Sequence, residues 1–399
     1  MLIFGRFLAL GGSLVFMMLT LILKNKLNYS SSQIADVLMI IAVTMIPTLY
    51  FSGKLADRYD KLKLIIMFNL GSVLCNLICS VIPVSTWTIV FYVISSLLTQ
   101  MDGPCYDALF AELSKTADRD RLYSLSYLAI NAGAVLPPII GGFLFEKHLN
   151  LSFLITALSL LVATILIMVF VKDDKKIVEL GEGIIASYQK AEAPDLSIIK
   201  VLNQRKVLWL FISCTIGAGL VYSQLSYLLP LNLESLFFGQ GAFYFGLLMS
   251  CNALIVIFTT PFLTKLCRFW TDPKKILTGE ILIVGALACY IFVQGYLPLY
   301  FISMGIFTFG EVLITLGSGP YLSKRIPASH RGRIVSLVGI ACQVSEPLFK
   351  KLMGFIVDKY SYSTAWQVVI LVGSSVIVLL IILRQRDTKA FPYLTKADN

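Results

Sequence analysis

Glu311 lies in the apolar run TFGEVLITLGSGPY, and no basic residue stands one turn away on either side, so its own helix offers it no counter-charge. Burial in hydrocarbon disfavours a charged carboxylate. Ionisable groups at membrane depth are costly enough to count as functional candidates. The chemistry that follows is proton uptake and release, with Glu311 as the leading carrier. Glu346 differs, because Lys350 follows it at i+4, the favoured order for a helical ion pair. The two either neutralise one another or act together, with Lys351 reaching toward the outer interface. Asp102, within MDGPCYD, either lines a cavity or reaches cytoplasmic water. Arg6 is placed to snorkel at the inner end of the first helix. Polar and aromatic residues inside apolar stretches, Tyr127, Asn131, Tyr222, Gln224, Tyr227 and Gln343, suit the wall of a mostly apolar site for an amphipathic ligand. Interhelical hydrogen bonds are the alternative use of each.

Such residues need membrane helices to hold them. The 399-residue chain is 57% hydrophobic and 14% charged, against about 25% charged in soluble domains. Apolar stretches of spanning length fall near 4–24, 32–52, 62–83, 86–106, 122–145, 150–171, 206–230, 242–264, 275–295, 297–321, 333–356 and 363–383. The spacing predicts an all-α membrane protein of twelve helices. Net charge is +10, and its placement gives its meaning. With the N-terminus inside, 26 of the 33 Lys and Arg fall on inner segments, while only Lys24, Lys26, Lys147 and Lys359 fall outside. That asymmetry predicts cytoplasmic termini and accounts for the basic charge without a nucleic-acid partner. Segment 4–24 lacks an A-x-A-like exit and runs straight into another span, so it is expected to be a retained helix. The eight cysteines sit mostly in apolar spans without CxxC or Cys/His metal spacing, so no disulfide, metal or other cofactor is expected. Cys75 and Cys79 are expected to be buried small hydrophobes.

The chain also repeats itself. RLYSL at 121–125 matches RIVSL at 333–337, and GGFLFEK at 141–147 matches MGFIVDK at 353–359, both at an offset of 212; Lys54-Leu55 meets Lys265-Leu266 at 211. Transporters arise from such repeats, with the site at their interface. The predicted organisation is two pseudo-symmetric six-helix bundles, 1–171 and 207–399, the latter with a short cytoplasmic tail, joined by a cytoplasmic linker over 172–206.

Two motifs sharpen this. Residues 53–63, GKLADRYDKLK, are a compact charged segment between apolar spans. Gly53 permits a tight turn, and Asp57 and Arg58 can pair or cap a helix start; the plainer alternative is a solvated turn with topogenic lysines. In the fifth span, Gly133, Pro137, Pro138, Gly141 and Gly142 (GAVLPPIIGG) admit close helix approach and loosen local hydrogen bonding. Simple close packing is the alternative there. Pro230 is expected to end or kink the seventh helix.

The first motif resembles the loop between the second and third helices of the major facilitator superfamily. The resemblance implies that Gly53, Asp57 and Arg58 latch the inner helix ends in the outward-open state. Asp60 stands where that family usually has glycine. The second resembles the G-x-x-x-G-P-x-x-G-G stretch of drug:proton antiporters, with Pro137 replacing a glycine, and implies export. Gly310-Glu311 is similar to the helix-ten pattern of LmrP-type multidrug exporters, where the matching glutamate handles protons and substrate. A matching arginine in such sequences makes Arg6 a candidate partner for an inward carboxylate. The chain departs from them in carrying Ser126 and Ser226 where they carry acids, and helix four lacks the arginine often found in this antiporter branch.

The expected protein is therefore a monomeric, multi-pass plasma-membrane transporter exporting amphipathic small molecules in exchange for protons, with proton coupling at Glu311, Glu346 and Asp102. The nearest alternative is an importer or facilitator of a nutrient, peptide or lipid-like solute. A membrane enzyme finds no catalytic set here: His148 and His330 are expected on opposite sides of the membrane.

Overall fold

The computed structural model describes residues 1–113, 125–126, 129–171, 202–292, 295–326 and 328–392. Among them there is no strand. The helices are α1 (Leu2–Lys26), α2 (Ser31–Arg58), α3 (Lys61–Val81), α4 (Thr86–Leu113), α5 (Ala129–Leu144), α6 (Leu149–Phe170), α7 (Lys206–Leu236), α8 (Gly241–Leu266), α9 (Asp272–Phe292), α10 (Leu297–Arg325), α11 (Ala328–Lys359) and α12 (Tyr362–Ala390). Among the described residues, nine of these are long and apolar enough to cross a membrane, all but α4, α5 and α11. The outward surface carries large apolar side chains such as Val43, Leu74, Phe258, Phe292 and Leu371, as a lipid-facing surface requires.

Local sequence sets the helix ends. Ser30 and Gln33 form a reciprocal capping box that starts α2. Asp60 accepts from the Lys63 backbone N–H at 3.0 Å and starts α3. Ser361 does the same for α12 through Thr364. The turn expected at Gly53 falls instead at Tyr59–Asp60, because α2 runs on through Gly53 to Arg58. Hydropathy marks where charge begins, but helical hydrogen bonding continues beyond it.

Three helices are interrupted, α5 at Ala134–Val135 and α1 and α7 at greater length. After Gly11, α1 continues through a 3₁₀ turn at Phe16–Met18 and a π turn at Ile22–Lys26. In α7 the break falls at Ser223–Tyr227, and the helix resumes at Leu228. Pro230 does not end this helix; it sits in the first turn of the resumed segment, where a missing N–H costs least.

The chain forms two compact units, Met1–Glu182 with Leu229–Leu254, and Gly183–Leu228 with Ile255–Asn399. The first packs around Ile65, Phe68, Cys105, Tyr106 and Ile167, the second around Phe211, Tyr321, Ile334, Val376 and Leu383. The repeat recurs in the helices: Lys61–Val81 and Asp272–Phe292 are each 21 residues long and begin 211 positions apart, as do Thr86 of α4 and Leu297 of α10. On this register Asn69 of α3 matches Glu280 of α9. Both are buried, and Asn69 Oδ1 and Glu280 Oε1 have no hydrogen-bond partner. All eight cysteines are free, and Cys75 and Cys79 are buried.

Candidate functional site

In the second unit, Tyr222 at the end of the first α7 segment donates its hydroxyl hydrogen to Glu311 Oε1 at 2.8 Å. Its ring lies 5.7 Å from that of Phe307, one turn before Glu311. The helical neighbours give Glu311 no counter-charge, as its sequence indicates, but a phenol from another helix reaches it. The missing Cβ atoms of Gly310 and Gly279 allow α10 to touch α9. A Cβ on Gly310 would stand 2.5 Å from the Gly279 carbonyl oxygen, and one on Gly279 the same distance from that of Gly310. Any side chain at either place would drive the helices apart.

Beside this crossing is a cavity of about 240 Å³, lined by residues including Cys214, Thr215 and Tyr222 of α7, Glu280 of α9, Ser318 of α10 and Cys342 of α11. Glu280 is 1% exposed. Sequence reasoning passed over it, although it too is a carboxylate within an apolar span, the criterion that found Glu311. No hydrogen bond or ion pair within 4 Å joins Glu346 to Lys350, although each remains the other's electrostatic neighbour. The Glu346 carboxylate turns toward α7, its Oε1 lying 3.2 Å from where a Cβ on Gly219 would be.

The first unit encloses a cavity of about 440 Å³, bordered by Arg6, Asn76, Tyr92, Thr99, Asp102 and Thr156 among others. Its floor is a polar network between α3 and α4. The Ser72 and Ser95 hydroxyls are 2.7 Å apart, and Asn76 Nδ2 donates to Ser95 Oγ at 2.6 Å and to the Ser72 carbonyl at 3.0 Å. Those two acceptors fix the amide's orientation and leave Asn76 Oδ1 without a partner. Asp102 Oδ1 is likewise buried and unbonded. Arg6 does pair with a carboxylate, but with Asp107 at 3.2 Å, and it lies over the Tyr106 ring.

The other expected wall residues are less uniform. Gln224 is fully buried and spends its amide on the α7 break, donating to the Leu220 carbonyl and Ser223 Oγ. Tyr227 is fully buried, Asn131 and Gln343 are half-buried, and none of these four lines either cavity. Tyr127 and the Asp57 side chain lie outside the described residues. Arg58 is exposed, and the space where Gly53 would carry a Cβ is open.

The α5 stretch is tightly packed. Pro137 and Pro138 bring no N–H, which leaves the carbonyls of Gly133 and Ala134 without helical donors, and the helix is disturbed at Ala134–Val135. Ser250 of α8 donates to the Val135 carbonyl at 2.6 Å. A Cβ at Gly133 would meet the Phe7 carbonyl at 2.9 Å and one at Gly141 the Leu14 carbonyl at 2.6 Å, both on α1. At Gly142 it would meet the Ala242 carbonyl of α8 at 2.6 Å. Backbone atoms cannot swing aside as side chains do, so Gly142→Ala is expected to cost ~1–3 kcal/mol. A lowered thermal midpoint of the purified protein checks this; an unchanged midpoint refutes rigid contact.

A buried ionic cluster ties the start of α9 to the ends of α10 and α12 in the second unit. Arg325 makes two bonds to Asp387, Nε to Oδ1 at 2.6 Å and Nη2 to Oδ2 at 2.7 Å, and reaches Asp272 at 3.3 Å. Tyr321 stacks on Phe211 with centroids 4.3 Å apart and donates to Asp387. Arg205 donates to the Arg325 carbonyl. Burial pulls the Arg325 proton affinity down, but hydrogen bonds and charge from Asp387, with help from Asp272, hold it above its ordinary value.

These features have relatives. Over 324 residues the chain is 21% identical to a Na(+), Li(+), K(+)/H(+) antiporter of Planococcus maritimus, covering 75% of this chain and 76% of that one. It is 22% identical over 267 residues to the multidrug resistance protein MdtL of Klebsiella pneumoniae, with coverage of 65% and 64%. Its fold matches a POT family transporter solved in complex with 5-aminolevulinic acid, with a TM-score of 0.72 and 16% identity over 99% of this chain and 96% of that one. A peptide transporter POT in complex with sulfate matches at 0.71 and 15%, over 99% and 94%. The family model described as Major Facilitator Superfamily matches residues 2–349, and this multi-pass membrane transporter belongs to that superfamily.

Proposed function

We propose that the protein exports amphipathic small molecules in exchange for protons, by alternating access, as a monomer in the plasma membrane with both termini cytoplasmic. The observation that carries this reading is the Tyr222–Glu311 hydrogen bond, which ties a carboxyl of a membrane helix to a tyrosine that borders a mostly apolar cavity. A titratable group in that position gives protonation a direct route to the binding region. Asp102 and Glu346 are further proton-coupling residues in this reading, and Arg6 and Tyr222 border the places where solute binds. Gly53, Asp57 and Arg58 form the inner latch. The Gly133, Pro137, Pro138, Gly141 and Gly142 stretch, packed backbone to backbone on α1 and α8, supports antiport because so tight a seam resists proton leakage. The MdtL likeness points the same way.

The test is transport in proteoliposomes. Ethidium, a cationic amphipath, is expected to move up its gradient when protons are released in the opposite direction, and collapse of the pH gradient is expected to stop it. Uptake that runs with the proton gradient would turn the reading to import. A second reading, exchange of sodium for protons, is favoured by the oxygen-rich floor of Ser72, Asn76, Ser95 and Thr99 and by the Planococcus relative. Proton release driven by a sodium gradient without ethidium movement would select it.

A further inference from the structure

We propose that Glu280 is a second proton-binding site of the transporter, a sealed carboxyl that exchanges hydrogen ions with Glu311 through the α7–α9–α10 cavity. The proposal rests on the proton-coupled reading for its role and on geometry for its location. Four observations converge. Glu280 is 1% exposed and its Oε1 has no hydrogen-bond partner. It borders a cavity of about 240 Å³ that Tyr222 also borders. Tyr222 in turn donates to Glu311. Finally, Glu280 and Glu311 each directly follow a glycine, and those glycines, Gly279 and Gly310, are the contact point of α9 and α10. One helix crossing therefore sets two carboxyl-bearing residues at the same level of the unit.

The surroundings favour a group that changes protonation over a fixed ion. Across the cavity stand the Cys214 thiol and Tyr222 hydroxyl of α7, the Cys342 thiol of α11, and Ser318 of α10. α12 contributes the apolar Leu380. Glu311 is reached through Tyr222, and Glu346 lies by Gly219. Among the described residues lining the cavity there is no Lys or Arg; Lys275 of α9 and Lys350 of α11 lie outside the lining. A carboxylate formed here would have only hydroxyls and thiols to face, a costly state. A carboxylic acid is the resting form, and ionisation must be coupled to an event that supplies water or charge.

The transfer balances simply. As Tyr222 passes its hydroxyl hydrogen to the Glu311 carboxylate, its oxygen takes the hydrogen leaving Glu280, directly or over cavity water. Glu280 ends as carboxylate, Glu311 as acid, and the tyrosine is unchanged.

Dicyclohexylcarbodiimide, an apolar reagent for protonated carboxyls, tests this on the wild-type protein in lipid nanodiscs. Peptide mass spectrometry is expected to find the adduct on Glu280 at acid pH, and its yield is expected to fall about tenfold as the site ionises. In parallel, Glu280→Gln is expected to lower the protons moved per ethidium while keeping the protein folded. An adduct whose yield is indifferent to pH would mark a permanently neutral packing group and overturn the proposal. So would absence of the adduct at acid pH, or unchanged proton counts in the variant. Failure of wild-type ethidium transport with a pH-sensitive adduct would strike the export reading while supporting the site.

Discussion

Glu311→Gln is expected to uncouple the protein. Glutamine keeps the volume and still offers an oxygen to the Tyr222 hydroxyl, so packing against α7 survives, but the side chain can no longer take or lose a proton. Exchange of one proton for one ethidium cation moves no net charge, so the pH gradient is the driving force, and about a tenfold concentration ratio per unit of that gradient should vanish from accumulation assays. Energy-independent exchange of labelled ethidium across the membrane should persist. Tyr222→Phe is a milder change that removes one hydrogen bond to an ionisable partner, slowing transport by about tenfold without erasing its dependence on the gradient. If Glu311→Gln accumulates ethidium as the parent does, this residue is not the coupling site.

The largest stability effect is expected at Arg325. Its side chain is 2% exposed and faces Asp387 at 1% and Asp272 at 5%. Removing the guanidinium strands buried carboxylates, and Arg325→Ala should cost ~3–5 kcal/mol. Lys324 also contacts Asp272, at 3.1 Å, but is 49% exposed, so Lys324→Ala should cost ~0–1 kcal/mol. Buried thiols such as Cys214 and Cys267 provide the readout, since a thiol-reactive dye lights up as they become accessible on heating. Equal midpoints for the two variants would show that the cluster is no keystone.

The membrane character, the helices and the repeat were legible because they rest on properties every span must have: length, apolarity and internal register. Helix ends were less so. α2 overruns its apolar stretch to Arg58 because Asp60, read as a departure from a loop pattern, is the cap of α3. At the site, sequence located Glu311 and Tyr222 separately, but nothing in either neighbourhood says that they touch, since 89 positions divide them. Local spacing gives only part of the arrangement. Glu346 and Lys350 have the right interval for a pair, yet the carboxylate turns to the room left by Gly219 on another helix. Glu280 was overlooked because it lies near the basic start of α9, DPKK, where a charge looks like a water-facing one.

The match between Asn69 and Glu280 has an evolutionary consequence. Descent from one duplicated gene would have given both copies the same residue there, and the two side chains now differ by one methylene and by an amide in place of an acid. One copy now holds an amide, whose charge is fixed at every acidity, and the other an acid, whose charge responds to it. At that one place the twin scaffolds are no longer equivalent toward acidity, while each keeps further carboxyls of its own, Asp102 in the first and Glu311 in the second.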